Sequence, residues 1–141
     1  MMKLSDDERQ ALIALAREAA RRAYAPYSNF HVGAALRTVS GRIFTGCNVE
    51  NAAYPTSMCA ERVALFKAVS EGEQVFEVIA VVTPTGGTPC GACRQALSEF
   101  GLNTIVLIAD GAGHLVQETT VGGLLPGAFT PADLKRKTFE N

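Results

Sequence analysis

The run Val75-Phe76-Glu77-Val78-Ile79-Ala80-Val81-Val82 decides the architecture, because it is apolar almost without interruption. A strand with one wet face places polar residues at every second position. A strand covered on both faces reads as this one does. Downstream, residues 83–89 form a Pro/Gly/Thr loop, residues 91–100 a helix closed by Gly101, and residues 104–109 a second buried strand. Strands alternating with helices call for helices on both sides of a sheet.

Upstream, Ser5 and Glu8 have the spacing of a capping box, and Asp6 and Asp7 add negative charge to a helix start. Leu12, Leu15, Ala16 and Ala19 carry the helical period from residue 5 to residue 24, and Pro26 stops it. Residues 30–39 and 42–47 read as two strands around the turn Ser40-Gly41. Residues 48–57 read as a loop. Residues 58–71 fit a helix with Val63, Leu65, Phe66 and Val69 apolar, ended by Gly72. Beyond the second buried strand, residues 114–119 suit a short strand and 120–130 are rich in Gly and Pro. Thr130-Pro131 then opens a C-terminal helix. The expected fold is α/β, a three-layer α/β/α sandwich with a mixed, mostly parallel central sheet, formed by one domain over residues 1–141. Ligands in such sheets bind beyond the carboxyl ends of strands, at loops leading into helices.

Charge narrows the function. Lys and Arg total 13 against 14 Asp and Glu, a formal net charge of -1, so there is no basic surplus to follow a phosphate backbone. Arg21-Arg22 and Lys135-Arg136-Lys137 fall near expected helix ends, where cations complement the helix dipole. No segment approaches the roughly 18 apolar residues that span a bilayer. The acidic start lacks the basic-then-apolar layout of an export signal. A cytoplasmic location is therefore expected, and with it reduced thiols.

Cys90-Gly91-Ala92-Cys93 is a CxxC motif that follows Pro89 and opens a helix. Alone it suits a redox pair or half of a structural zinc site. Cys59, also at a helix start, offers a third sulfur, whereas Cys47 lies in an expected strand as small apolar filler. Three thiolates and an open position make a catalytic zinc layout. Glu61, two residues after Cys59, converges on the same volume as a candidate proton carrier. Three thiolates on Zn2+ sum to a negative charge. Two helix N-termini, each worth roughly half a positive charge, and Arg62, donating to a thiolate, would offset it.

The pairing of Cys59-Ala60-Glu61 with Pro89-Cys90-Gly91-Ala92-Cys93 resembles the signature of zinc deaminases. Over almost its whole length the chain resembles the small homotetrameric cytidine deaminases. The resemblance is carried by Tyr27-Ser28-Asn29-Phe30-His31-Val32-Gly33-Ala34-Ala35-Leu36, by Gly46-Cys47-Asn48-Val49-Glu50-Asn51-Ala52-Ala53-Tyr54-Pro55, by Cys59-Ala60-Glu61-Arg62, by Pro89 to Gln95, and by Leu124-Leu125-Pro126. It implies one zinc per chain on Cys59, Cys90 and Cys93, and hydrolytic loss of the exocyclic amine of free cytidine. Glu61 would move protons to N3 and to the departing amine. Deoxycytidine would react too if ribose contact runs mainly through the 3′-hydroxyl.

The resemblance further implies that Asn48 and Glu50 bind the ribose hydroxyls; an amide and a carboxylate suit a diol. The segment Asn48 to Tyr54 would line the nucleoside pocket, with Ala60 also in contact. Ala52 and Tyr54 would face a neighbouring subunit's site, and Phe129 would cap the base from an adjacent chain of a homotetramer. Phe30 by itself reads as core, and the resemblance moves it onto the pyrimidine. His31 and His114, the two imidazoles, match no ligand position. The competing readings are a deaminase similar to blasticidin S deaminase, a polynucleotide deaminase, a structural zinc module with Cys47 as fourth ligand, and a redox dithiol protein.

Overall fold

A computed structural model describes residues 3–134 of the chain. Helix α1 spans Asp6–Ala20, followed by strands β1 Gly33–Thr38 and β2 Ile43–Cys47. A 3-10 turn, Tyr54–Thr56, precedes α2 Ala60–Ser70. Then come β3 Phe76–Val82, α3 Gly91–Ser98, β4 Ile105–Ala109, β5 Leu115–Thr120, a short α4 Val121–Leu124 and a 3-10 turn Pro131–Leu134. The strands form one sheet in the order β2-β1-β3-β4-β5.

Helix α1 begins with the expected capping box. The Ser5 hydroxyl accepts from the Glu8 N–H at 3.1 Å, and the Glu8 carboxylate accepts from the Ser5 N–H at 3.0 Å. The helix ends at Ala20, four residues short of expectation. Tyr24 has left it to pair with the loop after β2: its N–H donates to Asn48 at 3.0 Å, and its carbonyl accepts from Glu50 at 2.8 Å. The buried stripe keeps Leu12, Ala16 and Ala19 and differs at one position. Ile13 is buried while Leu15, at 40% exposed, faces outward.

β3 and β4 are covered on both faces, as their composition requires. Ile79, Val81, Val106 and Ile108 point into a core shared with α2 and α3. Val78, Ala80, Val82, Leu107 and Ala109 point into a second core beneath α1. The sandwich thus has its three layers, and each fully buried Ile or Leu contributes roughly 1.5–3 kcal/mol through removal from water.

The sheet is mixed, as expected, but not mostly parallel. Only β3 and β4 pair in parallel; β1 is antiparallel to both β2 and β3, and β5 is antiparallel to β4. The hairpin explains this. β1 inserts between β2 and β3, so the crossover through α2 joins two strands of like direction that never touch. The turn after β4 likewise returns β5 antiparallel. β1 begins at Gly33, not at residue 30, because residues 30–32 are drawn off the sheet by Asn48. The Gly- and Pro-rich tail holds α4, which composition hid; the Thr120 hydroxyl caps it by accepting from the Gly123 N–H at 3.0 Å. Of the expected C-terminal helix, the described residues show a 3-10 turn at Pro131–Leu134; its remainder, with Lys135-Arg136-Lys137, lies outside the described residues. Among the described residues no helix is long and apolar enough to cross a membrane.

Candidate metal centre and nucleoside pocket

Cys59 and Cys90 occupy the N-cap positions of α2 and α3, both in extended backbone, and Cys93 lies in the first turn of α3. Because β2 and β3 run the same way, the loops leaving them meet at one end of the sheet. The three sulfurs lie within 4.8 Å of one another, with Cys59 to Cys90 at 3.8 Å and Cys90 to Cys93 at 3.5 Å. All four cysteines are free of disulfides. A tetrahedral zinc with Zn–S near 2.3 Å needs sulfurs about 3.8 Å apart, so the donor set fits that ion. Cys47 is outside the cluster, and neither His31 nor His114 joins it among the described residues.

Electrostatics prepares the sulfurs for a cation. A hydrogen bond from Cys93 draws the Cys59 thiol down to about 5, and Arg62 adds to this. Cys93, donating to Cys59 and buried, is pushed up. A metal ion would displace that remaining proton. The Arg62 guanidinium donates through Nη2 to the Cys59 sulfur at 3.5 Å, and its pKa is raised by that bond.

Glu61 sits in the first turn of α2 and is only 4% exposed. Burial pushes its carboxyl up to about 7. A group so tuned can take and return a proton near neutral pH. The packing that buries it is close. Ala60, Ala64, Leu65 and Ala68 form the seated face of α2, while Phe66 is exposed. A Cβ on Gly46 of β2 would lie 2.6 Å from both the Ala60 oxygen and the Ala64 nitrogen. Gly46→Ala should therefore lift the first turn of α2, which carries Cys59 and Glu61. We expect a stability loss of about 2 kcal/mol, typical of overpacking, together with reduced zinc content. Thermal unfolding and metal analysis check this, and an unchanged zinc content would show that Gly46 does not set the depth of Cys59.

A cavity of about 420 Å³ opens over the cluster, and its wall includes Cys59, Cys90, Glu61, Ala60, Phe30, Asn48 and Glu50. That volume suits a small organic ligand. Ser28, Val32, Thr83 and Thr88 complete the lining, and no Lys or Arg is among these residues. Asn48 is largely engaged within the chain: its Nδ2 donates to the Phe30 carbonyl at 2.8 Å and its Oδ1 accepts from the Val32 N–H at 2.9 Å. Three expected contacts fall elsewhere. Ala52 is exposed and Tyr54 is 71% exposed. Tyr54 borders an adjoining cavity of about 310 Å³ with Tyr27, Ser28, Glu50 and Ser57. Phe129 is 56% exposed, its carbonyl accepting from Gln95 Nε2 at 2.8 Å.

Sequence reasoning missed the residues that brace this centre. Arg94 donates to the Pro89 carbonyl at 2.7 Å, to the Thr88 hydroxyl at 2.7 Å and to the Leu124 carbonyl at 2.8 Å. It thereby ties the loop before Cys90 to the C-terminal segment. Arg94 and Gln95 follow Cys93 directly in the chain, and that adjacency was the available signal.

The chain belongs to the cytidine and deoxycytidylate deaminase family, whose zinc-binding region matches residues 6–109. It is similar to a cytidine deaminase of Sporosarcina psychrophila, at 49% identity over 127 residues, covering 89% of this chain and 93% of the relative. A cytidine deaminase of Halalkalibacterium halodurans is also 49% identical, over 90% of this chain and 98% of its own. A crystal structure of cytidine deaminase from Burkholderia pseudomallei matches with a TM-score of 0.81 at 48% identity, covering 89% of this chain and 100% of that one.

Proposed function

We propose that this chain is a zinc-dependent cytidine deaminase that hydrolyses free cytidine and deoxycytidine to uridine or deoxyuridine and ammonia, as in pyrimidine salvage. The carrying observation is a buried carboxyl, Glu61, lining with Cys59 and Cys90 of the three-sulfur cluster a cavity of about 420 Å³. Zinc held by Cys59, Cys90 and Cys93 supplies the Lewis acidity that makes water a nucleophile at neutral pH. Glu61 would accept the proton of the attacking water and deliver it to N3 of the cytosine, then take the proton of the new C4 hydroxyl and pass it to the amine, so that the C4 carbonyl forms as the C4–N bond breaks and ammonia leaves. Ala60 packs beneath the base and the Phe30 ring lies against it. Asn48 and Glu50 hold the ribose. Arg62 draws negative charge from the Cys59 sulfur, which favours deprotonation at the metal.

The lining of the pocket favours a nucleoside over a nucleotide. A phosphate would meet the Glu50 carboxylate and no cationic side chain among the lining residues, a repulsive arrangement for an anion. The same absence of positive charge argues against a polynucleotide strand. The whole chain acts as one catalytic domain in the cytoplasm, assembled as a homotetramer with sites shared between subunits. Supporting the assembly are the exposed rings of Tyr24, Tyr27, Tyr54 and Phe129, of which Tyr27 and Tyr54 meet edge to face. Ala52 and Tyr54 then border a neighbour's site, and Phe129 reaches over a neighbour's base. The test is an ultraviolet assay of cytidine loss alongside metal analysis. We expect turnover with one zinc per chain; zinc-loaded protein that leaves cytidine intact would refute the assignment.

A further inference from the structure

Glu50 carries more hydrogen bonds than a ribose-binding carboxylate needs. Its Oε1 accepts from the backbone N–H groups of Tyr27 at 3.0 Å and Ser28 at 3.1 Å, and its Oε2 accepts a short bond from the Ser28 hydroxyl. A carboxylate offers roughly four acceptor sites, so the chain itself fills three and one on Oε2 is left. The direction of the Ser28 hydroxyl is also fixed. Its oxygen accepts from the Phe30 N–H at 3.0 Å, which leaves its hydrogen for Glu50. Asn29, between them, has a φ of +56°. A non-glycine residue in that region marks a turn held by its surroundings, and here the turn folds the Phe30 N–H back onto the Ser28 oxygen. These bonds, with that from Ser28 the largest influence, hold the Glu50 carboxyl below its ordinary pKa.

We propose that Ser28 is a positioning residue for nucleoside recognition, aiming the one open acceptor site of Glu50 at a ribose hydroxyl. This deepens, and rests on, the ribose role given to Glu50 above. The geometry supplies the consequence of losing it. Ser28 and Glu50 border both the cavity over the cluster and the adjoining cavity beside Tyr27 and Tyr54. Without the Ser28 hydroxyl the carboxylate has room to turn into the adjoining space and away from the sugar.

The experiment compares Ser28→Ala, Ser28→Thr and Glu50→Ala in the zinc-loaded protein, with cytidine and with 2′,3′-dideoxycytidine as substrates. Ser28→Ala should raise the KM for cytidine about tenfold, within the range for a hydrogen bond to a charged group. It should leave kcat within about twofold and zinc content unchanged. Ser28→Thr, which keeps the hydroxyl, should restore KM. With 2′,3′-dideoxycytidine, which gives Glu50 no hydroxyl to bind, Ser28→Ala should change little. An unchanged cytidine KM in Ser28→Ala, an equal rise with the dideoxy substrate, or failure of threonine to restore it would overturn the role of Ser28. If Glu50→Ala raises KM while Ser28→Ala does not, Ser28 alone is rejected. If Glu50→Ala leaves KM unchanged, the ribose role of Glu50 falls, and the role of Ser28 with it.

Discussion

Glu61→Gln should retain one zinc per chain and bind cytidine, yet release ammonia about 10³-fold more slowly, within the range attributed to a positioned general acid–base group. Glutamine preserves the volume and most of the hydrogen-bonding capacity of the side chain but cannot exchange a proton. The substitution also removes an ionisable group from a site only 4% exposed. Burial is what raises its carboxyl to about 7, so the neutral amide should not lower the melting temperature. Single-turnover ammonia release, measured with zinc content and a nucleoside titration, separates the chemical step from binding. Turnover within about tenfold of the parent would remove Glu61 from proton transfer, since that contribution is at least about 10²-fold.

Cys90→Ala is expected to abolish stoichiometric zinc and to destabilise the fold by about 4 kcal/mol at free zinc a thousandfold above its Kd. Cys90 is the informative choice because it is exposed, whereas Cys93 is fully buried. Shortening Cys93 would open a cavity in the core and mix packing with metal loss. Shortening Cys90 leaves no core cavity, so its stability loss reports the ion. A chelator should bring the parent to the melting temperature of the variant. Cys47→Ala serves as the contrast: Cys47 lies outside the cluster, so its loss should leave zinc content unchanged. Zinc loss in both variants would restore the structural zinc module with four cysteine ligands, and normal zinc in Cys90→Ala would reject Cys90 as a ligand.

Local chemistry explains which features could be read from the chain alone. The capping box at Ser5 and Glu8, the nearly unbroken apolar run of β3 and the CxxC at the start of α3 each depend on residues a few positions apart. Their geometry follows from backbone periods and hydrogen bonding within a turn. The gathering of Cys59 with Cys90 and Cys93 was legible for a related reason: each motif opens a helix after a strand, and such openings collect at one end of an α/β sheet. Which apolar residues of α2 are buried was not legible: Phe66 is exposed, since composition does not reveal that α2 rests on Gly46 through alanines.

What the sequence by itself determined was therefore the layered α/β class, the order of the elements from α1 to β5, the three-sulfur donor set and the family resemblance. The tertiary structure alone decided the strand directions, because insertion of β1 between β2 and β3 is a choice among pairings far apart in the chain. It alone decided the burial that lifts the Glu61 carboxyl, which is the summed effect of every group packed around α2. It also decided how Ser28, Asn48 and Glu50 divide their hydrogen bonds between the chain and an open pocket. Residue identity states how many donors and acceptors a side chain owns; only the folded positions of its neighbours state how many remain for a ligand.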